Sequence, residues 1–255
     1  MSDEPVKRHS HMRIIDLLPN LITMAAIVAG LTAIRFGFEQ AFERAVQLIL
    51  LAAVLDGLDG RMARLLKRQS LTGAELDSLA DFGNFGLAPA LIVYVAFFQE
   101  GLPSAGWIAV LVYVVCCVLR LARFNVMNKT ASAEGAVKPD NAFFEGVPSP
   151  AGAILVMVPM YVTFLFPEMG PVPPMAIAAY MVVIGLLMIS KIPTYSFKTL
   201  VISRDRAKFY LLAVMVLIAA LLTYLWATLL VLGGIYTVSV IWALLSRGKS
   251  SKPKP

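Results

Sequence analysis

Charge is scarce in this chain: 15% of its 255 residues are Asp, Glu, Lys or Arg, against about 25% in a soluble domain. Cysteine is scarcer. The two present, Cys116 and Cys117, are adjacent in an apolar run, which excludes a disulfide framework and a cysteine metal cluster. The only histidines, His9 and His11, sit in the polar head and are read as incidental rather than as ligands. No repeat of fixed period is visible, so a solenoid or propeller is excluded. What fills the chain instead is apolar: 59% of residues are hydrophobic and the mean hydropathy is +0.78. These values describe an integral membrane protein. A net charge of +6 would ordinarily raise the question of nucleic acid. In a membrane protein the position of each charge is more informative than the sum, and no nucleic-acid partner is expected. Met1 to Asp16 is polar and the apolar run after it is long enough to span, so no cleavable signal peptide is expected.

A spanning helix needs about 20 mostly apolar residues, and eight runs qualify. They cover Asn20–Phe38, Ala45–Leu66, Glu75–Phe98, Ala105–Asn128, Pro148–Phe166, Pro174–Ser190, Phe209–Tyr224 and Ala227–Leu245. The expected fold is therefore all-α, a polytopic membrane helix bundle of about eight transmembrane helices. An even number of spans puts both termini on one side. All but two of the 22 basic residues, Arg35 and Arg44, then fall on that same side, which the positive-inside rule makes cytoplasmic. Trp107, Tyr224 and Trp226 fall near the outer ends, either as interfacial rings or as packed aromatics. The basic tail from Arg247 to Pro255 is read as a solvated orientation signal able to touch anionic lipid.

Against this background four aspartates stand out: Asp56, Asp59, Asp77 and Asp81. An aspartate at the centre of a spanning helix costs roughly 2.5 to 3.5 kcal/mol on insertion scales, and less near an interface. The first pair is three residues apart and the second four, so on helices each pair occupies one face. Two neighbouring helix ends can thus converge their carboxylates on one site. Such hard oxygen ligands suit magnesium or manganese, and two ions together can clamp both oxygens of a phosphoryl displacement. Gly57, Gly60 and Gly73 remove side chains where a helix backbone approaches another helix or a bulky ligand. Arg64 is within reach of a phosphate at the membrane surface, a task its planar fork suits. Two other readings are open to the aspartates: ion pairs with nearby arginines that hold helices together, and an ion or proton pathway. Their clustering at one edge rather than at the midplane argues against the pathway.

The segment matches D-x-x-D-G-x-x-A-R-x8-G-x3-D-x3-D at every fixed position: Asp56, Asp59, Gly60, Ala63, Arg64, Gly73, Asp77 and Asp81. This pattern resembles the CDP-alcohol phosphatidyltransferase family. The resemblance implies an enzyme that moves a phosphatidyl group from a CDP-linked donor to an alcohol and releases CMP. It also implies a six-helix catalytic core and a homodimer. L-P-N-L-I-T from Leu18, R-L-A-R-F-N-V from Arg120, F-F-E-G-V-P-S-P-A from Phe143 and S-K-I-P-T-Y-S-F-K from Ser190 are similar to the members of that family that use L-serine as acceptor. Two departures are Ala25 and Ala26, where glycine and asparagine are expected, and Val147, where leucine is commoner. The alanines put in doubt any contact of the donor with the start of the first span.

The resemblance thus divides the chain into a cytoplasmic segment at 1–18, a catalytic core at 19–200, two additional helices at 201–246 and a basic tail at 247–255. It implies that Asp56, Asp59, Asp77 and Asp81 hold Mg2+ or Mn2+, as two ions, and that Asp81 is also the base for the serine hydroxyl. Asp59, Gly60, Ala63, Arg64, Gly73 and Asp77 would contact the CDP-diacylglycerol donor. Serine carries a carboxylate that a bidentate cation can select. Arg120, Arg123 and Asn125, with Ser149 and Lys198, are therefore expected to bind the acceptor carboxylate or the donor phosphate. The alternative for the two arginines is ordinary positive-inside charge. The site is expected on the cytoplasmic face of the cell membrane. The same chemistry with glycerol 3-phosphate, an inositol derivative or choline, and a carboxylate-lined carrier, are the competing functions.

Overall fold

Two prolines and two tyrosines explain where the helices of this chain break. The computed structural model describes residues 14–66, 71–133, 143–190, 193–195 and 207–250. The chain opens with α1 (Ile14–Phe38) and, after a tight turn in which Gln40 takes a left-handed φ of 59°, returns as α2 (Phe42–Leu65). At 25 residues α1 is about 37 Å long, enough for a hydrocarbon core of about 30 Å. The pair packs antiparallel along small residues. Thr23, Ala26, Gly30, Ala33 and Gly37 form a buried stripe on α1, and Ala45, Ile49, Ala52 and Asp59 form one on α2; Thr23 meets Asp59 and Ala26 clusters with Ala52, while Gly30 and Gly37 face Asn84 and Ile92. Spacings of three and four keep each stripe on one helix face, and the missing side-chain bulk lets the backbones approach.

The third rod is α3 (Leu71–Asp81), a π-helical turn (Phe82–Leu87) and α4 (Ala88–Phe97). Pro89 has no N–H to give the carbonyl of Phe85, four residues earlier. The Tyr113 hydroxyl donates to that carbonyl instead, at 2.9 Å. Tyr113 lies on α5 (Pro103–Ala133) and is wholly buried. The same device recurs in the fifth rod, split into α6 (Ser149–Val156) and α7 (Val158–Leu165). Pro159 leaves the Leu155 carbonyl without its helical donor, and the Tyr180 hydroxyl supplies one at 2.8 Å. Tyr180 belongs to α8 (Pro174–Ile189), whose Gly185 backs onto Tyr113, where a Cβ would come 3.1 Å from its Cα.

Between α5 and α6 lies a feature absent from the expected all-α pattern. β1 (Phe143–Glu145) pairs antiparallel with β2 (Pro193–Tyr195), Phe144 opposite Thr194. Three residues per strand are too few to leave an alternating signature in sequence. Gly146 ends β1 at φ +78°, and a Cβ there would collide with the carbonyls of Met188 and Ser190, so only glycine fits. The chain closes with α9 (Ala207–Thr223) and α10 (Leu225–Ser250). Trp226 of α10 stacks on Tyr161 at 6.3 Å between centroids, so it is a packed aromatic; Trp107 is exposed on one side and meets Tyr94 edge-on at 5.3 Å, and Tyr224 is exposed.

All eight apolar runs are helical, and the protein is a polytopic helical membrane protein. Among the described residues Leu18–Phe38, Thr72–Phe97, Pro103–Met127 and Leu225–Ala243 are long and apolar enough to cross a bilayer by length and composition, and Ser149–Leu165, Pro174–Ile189 and Lys208–Thr223 are shorter; the second expected span, in α2 with Asp56, Asp59 and Arg61, falls in neither group. The fourth run was expected to stop at Asn128, but its helix continues to Ala133. Its polar end continues as helix because no proline or glycine interrupts it before Ala133.

Candidate active site

The α1–α2 seam that buries alanines along most of its length ends in a carboxylate. Asp59 continues the α1-facing stripe of α2 and is 3% exposed. Its Oδ2 is hydrogen-bonded to Thr23 of α1, while its Oδ1 is buried without a partner. Asp56, one turn earlier, is partly buried, and Asp77 of α3 is exposed. One oxygen from each of Asp56, Asp59 and Asp77 lies within 4.8 Å of the other two. Asp81, at the C-terminal end of α3 where the π-helical turn begins, is in hydrogen-bonding contact with Asp56. Two carboxyl groups set against one another must share a proton or a cation.

The donor set fits a hard divalent cation: oxygen only, three groups within ligation distance, and one buried oxygen with no protein donor. Among the described residues none of the four aspartates forms an ion pair with an arginine or lysine; Lys67 and Arg68 lie outside the described residues. The Arg35–Glu39 ion pair lies near the other end of α1.

Of the two approaches expected at Gly57 and Gly60, by another helix or by a bulky ligand, no helix makes one among the described residues. A Cβ on either would meet nothing within 4 Å, so neighbouring protein does not require them, and the space beside the aspartates is open. Ala63 is half-buried and Arg64 exposed on the same helix, and Gly73 is half-buried on α3.

The expected acceptor cluster divides in three. Arg120 of α5 donates from Nη1 to the buried Ser149 Oγ at 2.8 Å, and its Nε is buried without a partner. Its guanidinium is in electrostatic reach of Asp81, so this pair adjoins the aspartates. Asn125 instead donates to Ser78 Oγ at 2.9 Å and so binds α5 to the helix that carries Asp77. Arg123 donates to the Ile189 carbonyl at the end of α8, at 3.3 Å, where a cation offsets the helix dipole. Lys198 lies outside the described residues.

Three participants were not singled out from sequence: Thr23, Ser78 and Cys117, whose Sγ is 3.8 Å from Ser149 Oγ. Thr23 had a signal, since it closes the L-P-N-L-I-T segment and falls in the small-residue stripe. The other two had none.

The chain is similar to known proteins of one family. The sequence model of the family described as CDP-alcohol phosphatidyltransferase matches residues 16–202. A Mycobacterium tuberculosis protein named CDP-diacylglycerol–serine O-phosphatidyltransferase is 48% identical over 140 residues, 55% of this chain and 47% of the relative. A Helicobacter pylori protein of the same name is 34% identical over 182 residues, 71% of this chain and 73% of that one. A Saccharomyces cerevisiae protein, also of that name, is 38% identical over 151 residues, 59% of this chain and 53% of that one. The chain spans about half the length of the mycobacterial relatives it matches. With the family match running through all four aspartates and on past α8, the chain belongs to the CDP-alcohol phosphatidyltransferase family.

Proposed function

We propose that this protein transfers the phosphatidyl group of CDP-diacylglycerol to L-serine, forming phosphatidylserine and CMP. The observation that carries the reading is the convergence of Asp56, Asp59 and Asp77 on one point beside open space, with Asp81 and the Arg120–Ser149 pair adjoining it. The shared name of the relatives favours serine as the acceptor.

Asp56, Asp59 and Asp77, with Asp81 beside them, would hold one or two Mg2+ or Mn2+ ions, whose chemistry here is to neutralise the charge of the donor diphosphate. Gly57 and Gly60 leave the α2 surface bare for the donor, and Arg64 reaches its phosphates. Arg120, with its buried Nε to spare, binds the serine carboxylate or the donor phosphate together with Ser149, while Arg123 and Asn125 hold α5 in place. Asp81 accepts the proton of the serine hydroxyl. A carboxylate is a weak base toward an alcohol, so that transfer runs late, as the new bond to the lipid-bearing phosphorus forms and the bond to CMP breaks.

The core at 19–200 carries the chemistry, and α9 and α10 extend the bundle. The charge distribution favours both termini and the site on the cytoplasmic side of the cell membrane, with the protein acting as a homodimer. The test is CMP release by purified protein in detergent, with CDP-diacylglycerol, Mg2+ or Mn2+, and a panel of acceptors. Release that requires L-serine supports the reading. Release with glycerol 3-phosphate, an inositol derivative or choline instead replaces the acceptor, and uptake into proteoliposomes without CMP release makes the protein a carrier.

A further inference from the structure

We propose, on the strength of the metal reading above, that Thr23 of α1 is a positioning residue for the aspartate site, fixing Asp59 so that it presents one oxygen, Oδ1, to a divalent cation. Thr23 is 5% exposed and Asp59 3%, so water does not compete freely for the pair. The Thr23 hydroxyl has two acceptors in reach, Asp59 Oδ2 and the Pro19 carbonyl at 3.1 Å, but only one proton. The Pro19 carbonyl already receives the backbone N–H of Thr23 within the helix. Turning the hydroxyl to Asp59 therefore leaves no carbonyl unpaired.

The second observation is the orphan. Asp59 Oδ1 is buried without a donor, and a buried polar atom in that state calls for an ion or a water. The hydrogen bond from Thr23 to Oδ2 pins the orientation of the carboxylate and so favours ligation through Oδ1 alone over chelation by both oxygens. Single-oxygen ligation suits the small, geometrically strict Mg2+ and Mn2+; two-oxygen ligation suits Ca2+. Ala26, Ala29 and Ala52 pack in one cluster between α1 and α2 next to the pair. Because position 26 is alanine rather than asparagine, that turn of α1 adds no polar group, and the polar contribution of α1 to Asp59 is made at Thr23.

The experiment is a Mn2+ titration of the full chain in detergent, followed by electron paramagnetic resonance without substrates, with Ca2+ competition. Wild type, Thr23→Val, Thr23→Ser and Asp59→Asn are compared. Thr23→Val is expected to weaken Mn2+ binding by about tenfold, within the range for losing a group that orients a metal ligand, and to improve Ca2+ as a competitor. Thr23→Ser is expected within about twofold of wild type. Wild-type Mn2+ affinity and Ca2+ competition in Thr23→Val, with binding lost in Asp59→Asn, overturn the role of Thr23 and leave the metal reading intact. Equal, negligible binding by wild type and Asp59→Asn overturns both. If Thr23→Val does not fold, Thr23→Ala, with no added bulk, carries the same expectations.

Discussion

The Tyr113 hydroxyl donates at 2.9 Å to the carbonyl of Phe85, the acceptor that Pro89 cannot serve. The bond joins α5 to the π-helical turn, six residues of chain that begin directly after Asp81. Its loss leaves a buried carbonyl unsatisfied, a cost of about 1 to 3 kcal/mol. Tyr113→Phe is expected to lower the thermal midpoint in detergent. Adding Pro89→Ala, which restores a backbone donor four residues after Phe85, is expected to recover part of that loss. Equal stability of Tyr113→Phe and wild type would show that the carbonyl finds another donor.

Gly60 separates the two meanings a glycine can have beside this site. A Cβ there meets nothing within 4 Å, and alanine is the better helix former by up to about 1 kcal/mol. Gly60→Ala is therefore expected to keep or raise stability while raising the KM for CDP-diacylglycerol severalfold. An unchanged KM would remove the donor from this face of α2.

Arg120 and Arg123 should diverge despite lying one turn apart. Arg120→Ala removes the guanidinium beside Ser149 and Asp81 and is expected to raise the serine KM at least tenfold, with Arg120→Lys recovering little because lysine lacks the fork. Arg123→Ala removes a donor to the end of α8 and is expected to act first on stability. Initial rates across serine concentrations, beside melting curves, distinguish the two. A serine KM unchanged in Arg120→Ala would end its assignment to the acceptor.

Asp81→Asn keeps the shape of the side chain and removes its basicity. The variant is expected to elute and melt as wild type while CMP release falls by at least about 100-fold, the scale of a lost general base. Activity within a few-fold of wild type would take Asp81 out of the proton transfer.

The aspartates were legible because spacings of three and four survive translation into one helix face whatever the tertiary fold, and because their pattern resembles one family. The eight apolar runs were legible for the same local reason. The broken third and fifth rods were not: Pro89 and Pro159 sit inside uninterrupted apolar runs, and the tyrosines that satisfy Phe85 and Leu155 come 28 and 25 positions later. The division of Arg120, Arg123 and Asn125 among three partners was equally hidden. It depends on which neighbours α3, α6 and α8 bring to a single helix, and no pattern along α5 records that. Gly57 and Gly60 were half legible, since a bare backbone signals close approach without saying whether protein or ligand approaches.

The most direct test of the account is CMP release from CDP-diacylglycerol by the purified chain with Mg2+ or Mn2+, with and without L-serine, alongside Asp81→Asn and an excess of chelator. Release that depends on serine and metal, disappears in Asp81→Asn and yields phosphatidylserine is the predicted result. Folded protein that releases no CMP with serine under any of these conditions would contradict it.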